Sequence, residues 1–135
     1  PSARVTTSLG QLLRYSSAAS NLCKGKEDQS LQKLAALPDA TRIYCAHEYT
    51  LSNLAFATAV EPNSQALQAK TANDEKRRQR GLPTVPSTLA IERETNPFLR
   101  CHLPALALAA SEHCGSPLSD AVAVMREIRL WKDHF

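Results

Sequence analysis

A chain of 135 residues that is 43% hydrophobic and 21% charged is long enough for one globular core and too short for two ordinary domains. The formal charge of +3 is too mild to mark a nucleic-acid binder, and no apolar run approaches the roughly 18 residues of a membrane-spanning helix. The four cysteines (Cys23, Cys45, Cys101 and Cys114) have no C-x-x-C spacing and read as reduced thiols rather than a disulfide framework.

Pro1 to Lys26 hold no acidic residue, and Leu9, Leu12 and Leu13 give a short apolar face. This is the composition of a mitochondrial transit peptide, although an unstructured segment of accidental composition accounts for it more simply. The opening proline, with no methionine before it, reads as a fragment or a processed product. From Ser30 to Leu37 the apolar residues Leu31, Leu34, Ala35 and Leu37 predict a short helix closed by Pro38-Asp39. A strand follows at Thr41 to Cys45. Helix, turn and strand form the closing unit of an α/β layer, but one strand makes no sheet, so an unpaired edge is expected here.

His47 stands at the tip of that strand, just before a long helical pattern that begins near Tyr49. Ligand crevices in α/β sheets lie outside the carboxyl ends of strands, so a metal ligand or proton carrier would be placed there. Satisfaction by local hydrogen bonds is the plainer alternative.

Leu51, Leu54, Ala55, Ala59 and Val60 predict the core-facing side of the helix that ends at Glu61-Pro62. Asn63 or Ser64 caps the next helix, which runs to Gly81 and ends in the basic run Lys76 to Arg80. With no interleaved aromatics, that run reads as a solvated helix end rather than a nucleic-acid patch. Leu82 to Pro86 is an extended connector stiffened by two prolines. Ser87 caps a helix through Glu94, and Asn96 to Arg100 breaks it. A packed helix is expected over Leu103 to Ala110, ended by Gly115-Ser116-Pro117. The last helix spans about Ser119 to Lys132, with Ala121, Val124, Met125, Ile128 and Trp131 on its core face. Everything after His47 is thus expected to be helical.

Two clusters invite chemistry. Cys101-His102 and His113-Cys114 suggest zinc, but adjacent helical residues face different ways and the separation fits no common finger, so this reading is set aside. Asp133 and His134 stand at the chain end and carry no signal by themselves. Arg126, Arg129 and Lys132 recur every three residues, and two cations one turn apart can grip a carboxylate. Ordinary helix-end charges explain the same pattern.

The block His47-Glu48-Tyr49-Thr50-Leu51-Ser52-Asn53-Leu54, then Phe56 and Ala59-Val60-Glu61-Pro62, closely resembles the glyoxalase II (hydroxyacylglutathione hydrolase) family. So do Gly81 to Leu89, Glu94 to Arg100 and the closing Arg129 to Phe135. The resemblance spans roughly Gln29 to Phe135. It implies a mostly α chain: a helical C-terminal domain (49–135) joined to a remnant, helix plus strand (29–48), of an αββα metallo-β-lactamase sandwich, with residues 1–28 unmatched. The family hydrolyses the thioester S-D-lactoylglutathione with a binuclear zinc, iron or manganese site, in which a metal-bridging hydroxide attacks the carbonyl. By position His47 resembles the last histidine ligand of the second metal and Tyr49 a glutathione contact. Arg129 and Lys132 resemble the pair that holds the glycine carboxylate, which favours the carboxylate-grip reading above.

The family's T-H-x-H-x-D-H and G-D-T-L-F motifs are absent, and Cys23-Lys24-Gly25-Lys26-Glu27 departs from its C-G-R/K-x-x-E-G loop. The chain therefore reads as a truncated, frameshifted or rearranged copy. One histidine cannot hold two metals, so little or no hydrolase activity is expected of it alone. The alternative is a non-catalytic helical module that binds glutathione weakly through Tyr49, Arg129 and Lys132. Either way the expected partner is a glutathione thioester or glutathione itself, with no nucleic acid and no membrane. A monomer is expected, in the cytoplasm, with the mitochondrion as the alternative.

Overall fold

The structure is a computed structural model that describes residues 4–6, 26–45 and 47–135. Most of the transit-like segment 1–26 lies outside the described residues. Three short strands form one sheet in the order β1-β2-β3: β1 (Arg4–Thr6), β2 (Arg42–Tyr44) and β3 (Ser87–Thr88). Strand β2 pairs parallel with β1 and antiparallel with β3. The expectation of an unpaired strand is therefore corrected. So is that of an all-helical chain after His47, because β3 follows the connector at Ser87–Thr88. Two residues are too few to give an alternating pattern, which is why sequence periodicity does not reveal them.

The chain is otherwise helical: α1 (Lys26–Ala35), α2 (Thr50–Val60), α3 (Gln65–Gln79), α4 (Leu89–Thr95), α5 (Pro104–Cys114) and α6 (Ala121–Asp133), with a 3-10 turn at Pro97–Leu99. Ser64 caps α3, its hydroxyl accepting from the Leu67 N–H, and Asp120 caps α6 by accepting from Ala123. Thr88, not Ser87, caps α4. Each cap satisfies an amide that the helix leaves without a partner. Helices α3 and α5 close on Gly81 and Gly115, both at positive φ. Leu82 N–H returns to Arg77 O and Ser116 N–H to Ser111 O, bonds that need the left-handed residue between them.

The core gathers Phe56, Leu89, Leu106, Val124 and Ile128, all essentially inaccessible, from α2, α4, α5 and α6. Each such side chain contributes roughly 1.5–3 kcal/mol of apolar burial. A second cluster, Leu54, Ala57 and Leu67, fixes α2 on α3. The buried face of α2 is thus Leu54, Phe56, Ala57 and Val60, whereas Leu51 is exposed. The expected face had included Leu51, Ala55 and Ala59. Because the apolar residues of α2 are not confined to one side, periodicity fixes no unique face, and the bulky Phe56 is among the residues that turn inward. The expected core face of α6 is observed, with Val124, Met125 and Ile128 buried.

Two arginines tie the elements together. The Arg93 guanidinium donates to the carbonyls of Ala35 and Leu37 and pairs with Asp39, so α4 satisfies the open C-terminal end of α1. Arg100 meets Glu61 through two bonds of 3.0 and 2.9 Å, with the side chains only 18% and 11% exposed. Removing one partner of such a pair strands the other charge. Arg100→Met should therefore lower the unfolding free energy by about 3 kcal/mol in urea titrations. The double variant Arg100→Met/Glu61→Leu should recover most of that loss.

Candidate functional site

Strand β2 ends at Tyr44, and the chain bends at His47 before α2 begins. The His47 and Tyr49 rings stack with centroids 5.0 Å apart and planes 22° from parallel. Both residues are exposed. Tyr49 is the N-cap of α2 but makes no side-chain capping bond. The helix start is held instead from across the fold. Glu48, the residue between His47 and Tyr49 in sequence, accepts from the Thr84 amide at 2.6 Å, and its carboxylate lies 2.8 and 3.0 Å from the Thr84 hydroxyl. Thr84 Oγ1 is also 2.6 Å from Thr50 Oγ1. An ionised carboxylate has no proton to give, so the Thr84 hydroxyl donates to Glu48 and the Thr50 hydroxyl donates to Thr84. Arg78 stands 3.6 Å from the same carboxylate.

The basic end of α3 has a structural task. Arg77 donates twice to the Pro83 carbonyl, at 3.0 and 2.8 Å, and Arg78 donates to the Leu82 carbonyl. These arginines fasten the connector that carries Thr84. The expected solvated helix end is thus corrected in part: both arginines remain exposed, but each has a backbone partner. The Glu48–Thr84 contact spans 36 residues, and no local sequence signal announces it.

Lys132 is placed by aromatics. Its ammonium lies 5.0 Å from the centroid of the Phe56 ring. The same ring packs against Phe98, Trp131 and Phe135 at centroid distances of 6.3, 5.9 and 5.5 Å. Burial against this cluster lowers the Lys132 pKa from its ordinary value, and the neighbouring Asp133 carboxylate opposes the shift. Lys132 also lines a cavity of about 90 Å³ with Cys45, Thr50, Asn53 and Asn96. A tripeptide does not fit in that volume, but one carboxylate end of it does. The structure thus brings Lys132 to the same cavity as the first turn of α2, the helix that Tyr49 caps. His47, Tyr49 and Arg129 are not among the residues lining it. Arg129 is half-buried one turn before Lys132 on α6.

Among the described residues no group of three or more His, Cys, Asp or Glu gathers to hold a metal. A lone exposed imidazole does not fit a binuclear centre, which needs several ligands around each ion. The Cys101-His102 and His113-Cys114 pairs go separate ways. His113 sits 2.8 Å from Glu127 and stacks on Trp131 at 4.1 Å. Cys101 is buried, its sulfur 3.9 Å from that of Met125.

A family model described as hydroxyacylglutathione hydrolase C-terminus matches residues 48–135. Similar curated proteins carry the name hydroxyacylglutathione hydrolase. That of Nitrosomonas europaea is 51% identical over 106 residues, covering 78% of this chain and 40% of the relative. That of Alkalilimnicola ehrlichii is 51% identical over 122 residues, covering 88% and 48%. That of Aeromonas hydrophila is 48% identical over 124 residues, covering 90% and 49%. The chain therefore spans less than half the length of these relatives. A match over 90% of the chain also reaches upstream of Gln29.

The Lys132 shift has a defined sign in stability. A lysine whose folded pKa lies below its unfolded value carries a cost while protonated in the folded state. That cost is relieved as pH rises from the lowered pKa toward 10.5. Wild-type stability should therefore gain, relative to Lys132→Met, across this alkaline window. Urea midpoints of the two proteins at stepped pH check it, and parallel curves would refute the assignment.

Proposed function

We infer the function from one premise: the chain belongs to the hydroxyacylglutathione hydrolase family and carries its C-terminal portion. In this reading the chain is the glutathione-recognising part of a thioester hydrolase whose substrate class is the acyl-glutathiones. Tyr49 offers an exposed ring and hydroxyl at the start of α2. Arg129 and Lys132, one turn apart on α6, hold the glycine carboxylate of glutathione. The observation that carries this is Lys132, a cation drawn over Phe56 into a cavity sized for one carboxylate. Desolvation strengthens its attraction for an anion, because the charge there is less screened than in bulk water.

His47 is proposed as one metal ligand of the complete enzyme, whose bound metals would supply Lewis-acid activation of the thioester carbonyl. The described residues provide no second and third ligand, so the chain on its own is proposed to bind rather than hydrolyse. Robust turnover of S-D-lactoylglutathione by this 135-residue chain after zinc, iron or manganese loading would overturn that.

Binding is tested by titrating reduced glutathione into the chain and following amide and side-chain shifts by NMR. Lys132→Ala and Arg129→Ala should each weaken binding about tenfold, the loss of one charge-assisted contact. Glutathione esterified at its glycine carboxylate should bind to wild type no better than glutathione does to these variants. Equal binding of ester and free acid would remove the carboxylate assignment.

A further inference from the structure

We propose that Ser87 is a further ligand contact: its hydroxyl donates to the carboxylate that Lys132 draws into the cavity. The inference deepens the function proposed above and rests on it for the identity of the ligand.

A serine just before a helix ordinarily uses its hydroxyl as a cap. For α4 that role belongs to Thr88, whose side chain accepts from the Ile91 N–H. Ser87 stands one residue earlier, in β3, where its backbone pairs with Ile43 of β2. Its side chain is left over. Among the described residues the Ser87 Oγ is buried and meets no hydrogen-bond partner. Such a hydroxyl is a cost in the folded protein, because water satisfied it in the unfolded chain. Thr41 and Thr71 carry the same cost, but neither lines the Lys132 cavity, whereas Ser87 does.

Four of the residues lining that cavity carry hydroxyls: Thr50, Thr84, Ser87 and Thr95. Three of the four protons are committed. Thr50 donates to Thr84, Thr84 donates to Glu48, and Thr95 donates to the Ile91 carbonyl at 2.7 Å. Of the four, Ser87 is the one with no acceptor. A carboxylate offers about four lone-pair sites, and inside a protein those sites need donors. Lys132 brings charge from α6, and Ser87 brings a hydroxyl from β3. A cavity of about 90 Å³ keeps a bound carboxylate close to both walls. The acid on the wall, Glu92, accepts from Asn96 Nδ2 at 3.0 Å, and the lining lysines Lys132 and Lys70 outnumber it. The Ser87 Oγ is itself covered, so the carboxylate meets it after a turn about Cα–Cβ, a change between staggered rotamers.

The test compares the full 135-residue chain with its Ser87→Ala variant. Three probes are titrated at constant ionic strength and followed by NMR: reduced glutathione, its glycine ester and acetate. Ser87→Ala should bind glutathione and acetate each about fivefold more weakly than wild type, the loss of one charge-assisted hydrogen bond. Its affinity for the ester, which has no glycine carboxylate, should match that of wild type. The thermal midpoint should hold or rise, because the substitution removes a buried hydroxyl that the fold leaves without a partner. A lower midpoint with unchanged affinities would assign the hydroxyl to the fold and overturn the proposal. So would an equal loss of affinity for glutathione and for the ester. If wild type binds no glutathione, the proposed function fails, and acetate then decides the contact by itself. Equal acetate binding by the two proteins, or none by either, overturns it.

Discussion

The Phe56 ring is the contact on which the arrangement depends. It is a single residue of α2, yet it touches Phe98 from the 3-10 turn and Trp131, Lys132 and Phe135 from the end of α6. Edge-to-face contacts, such as those with Trp131 and Phe135, put the positive ring edge of one aromatic on the negative face of another. An ammonium over a ring uses the same negative face. One buried side chain therefore both closes the core and sets where the α6 cation stands. The position of Lys132 thus follows from packing around Phe56.

The two halves of the candidate site are consequently held by different physics. The α6 half is fixed by apolar burial of Val124, Met125 and Ile128, with the His113 stack on Trp131 bracing its last turns. The loop half, His47 and Tyr49, is exposed, and Glu48 beside them bonds the connector at Thr84. Apolar burial is nearly indifferent to salt, whereas an ion pair such as Glu48–Arg78, at side-chain exposures of 28% and 41%, is screened by it. The loop half is therefore the more condition-sensitive of the two.

Much of this was legible in the sequence, and the reasons for the rest are specific. The α6 core face could be read because its apolar residues recur cleanly against a charged side. The α2 face could not, because apolar residues recur around several sides of the helix and side-chain size makes the choice. Caps at Ser64 and the glycine ends at Gly81 and Gly115 follow from local chemistry and were visible. The sheet was not: β3 is two residues long, and its partner β2 lies more than forty residues earlier. The proposed contacts Tyr49, Arg129 and Lys132 come from family resemblance, and in the sequence itself only the spacing of the α6 cations hints at a carboxylate grip. The partner of Glu48 could not be read locally, because Thr84 lies 36 residues farther along the chain.

The connector also changes what the basic run at the end of α3 means. Lys76 to Arg80 looks in sequence like charge facing water, favoured by the helix dipole. In the fold, two of those arginines are spent on carbonyls of the next five residues. A proline-rich segment with few amides of its own cannot hold itself in place by backbone bonding, since each proline lacks a donor. External donors must then act on its carbonyls, and guanidinium groups reach two acceptors from one side chain. The prolines that stiffen the connector thus create the need for the arginines beside it. Together they make a platform from which Thr84 reaches Glu48, 36 residues earlier in the chain.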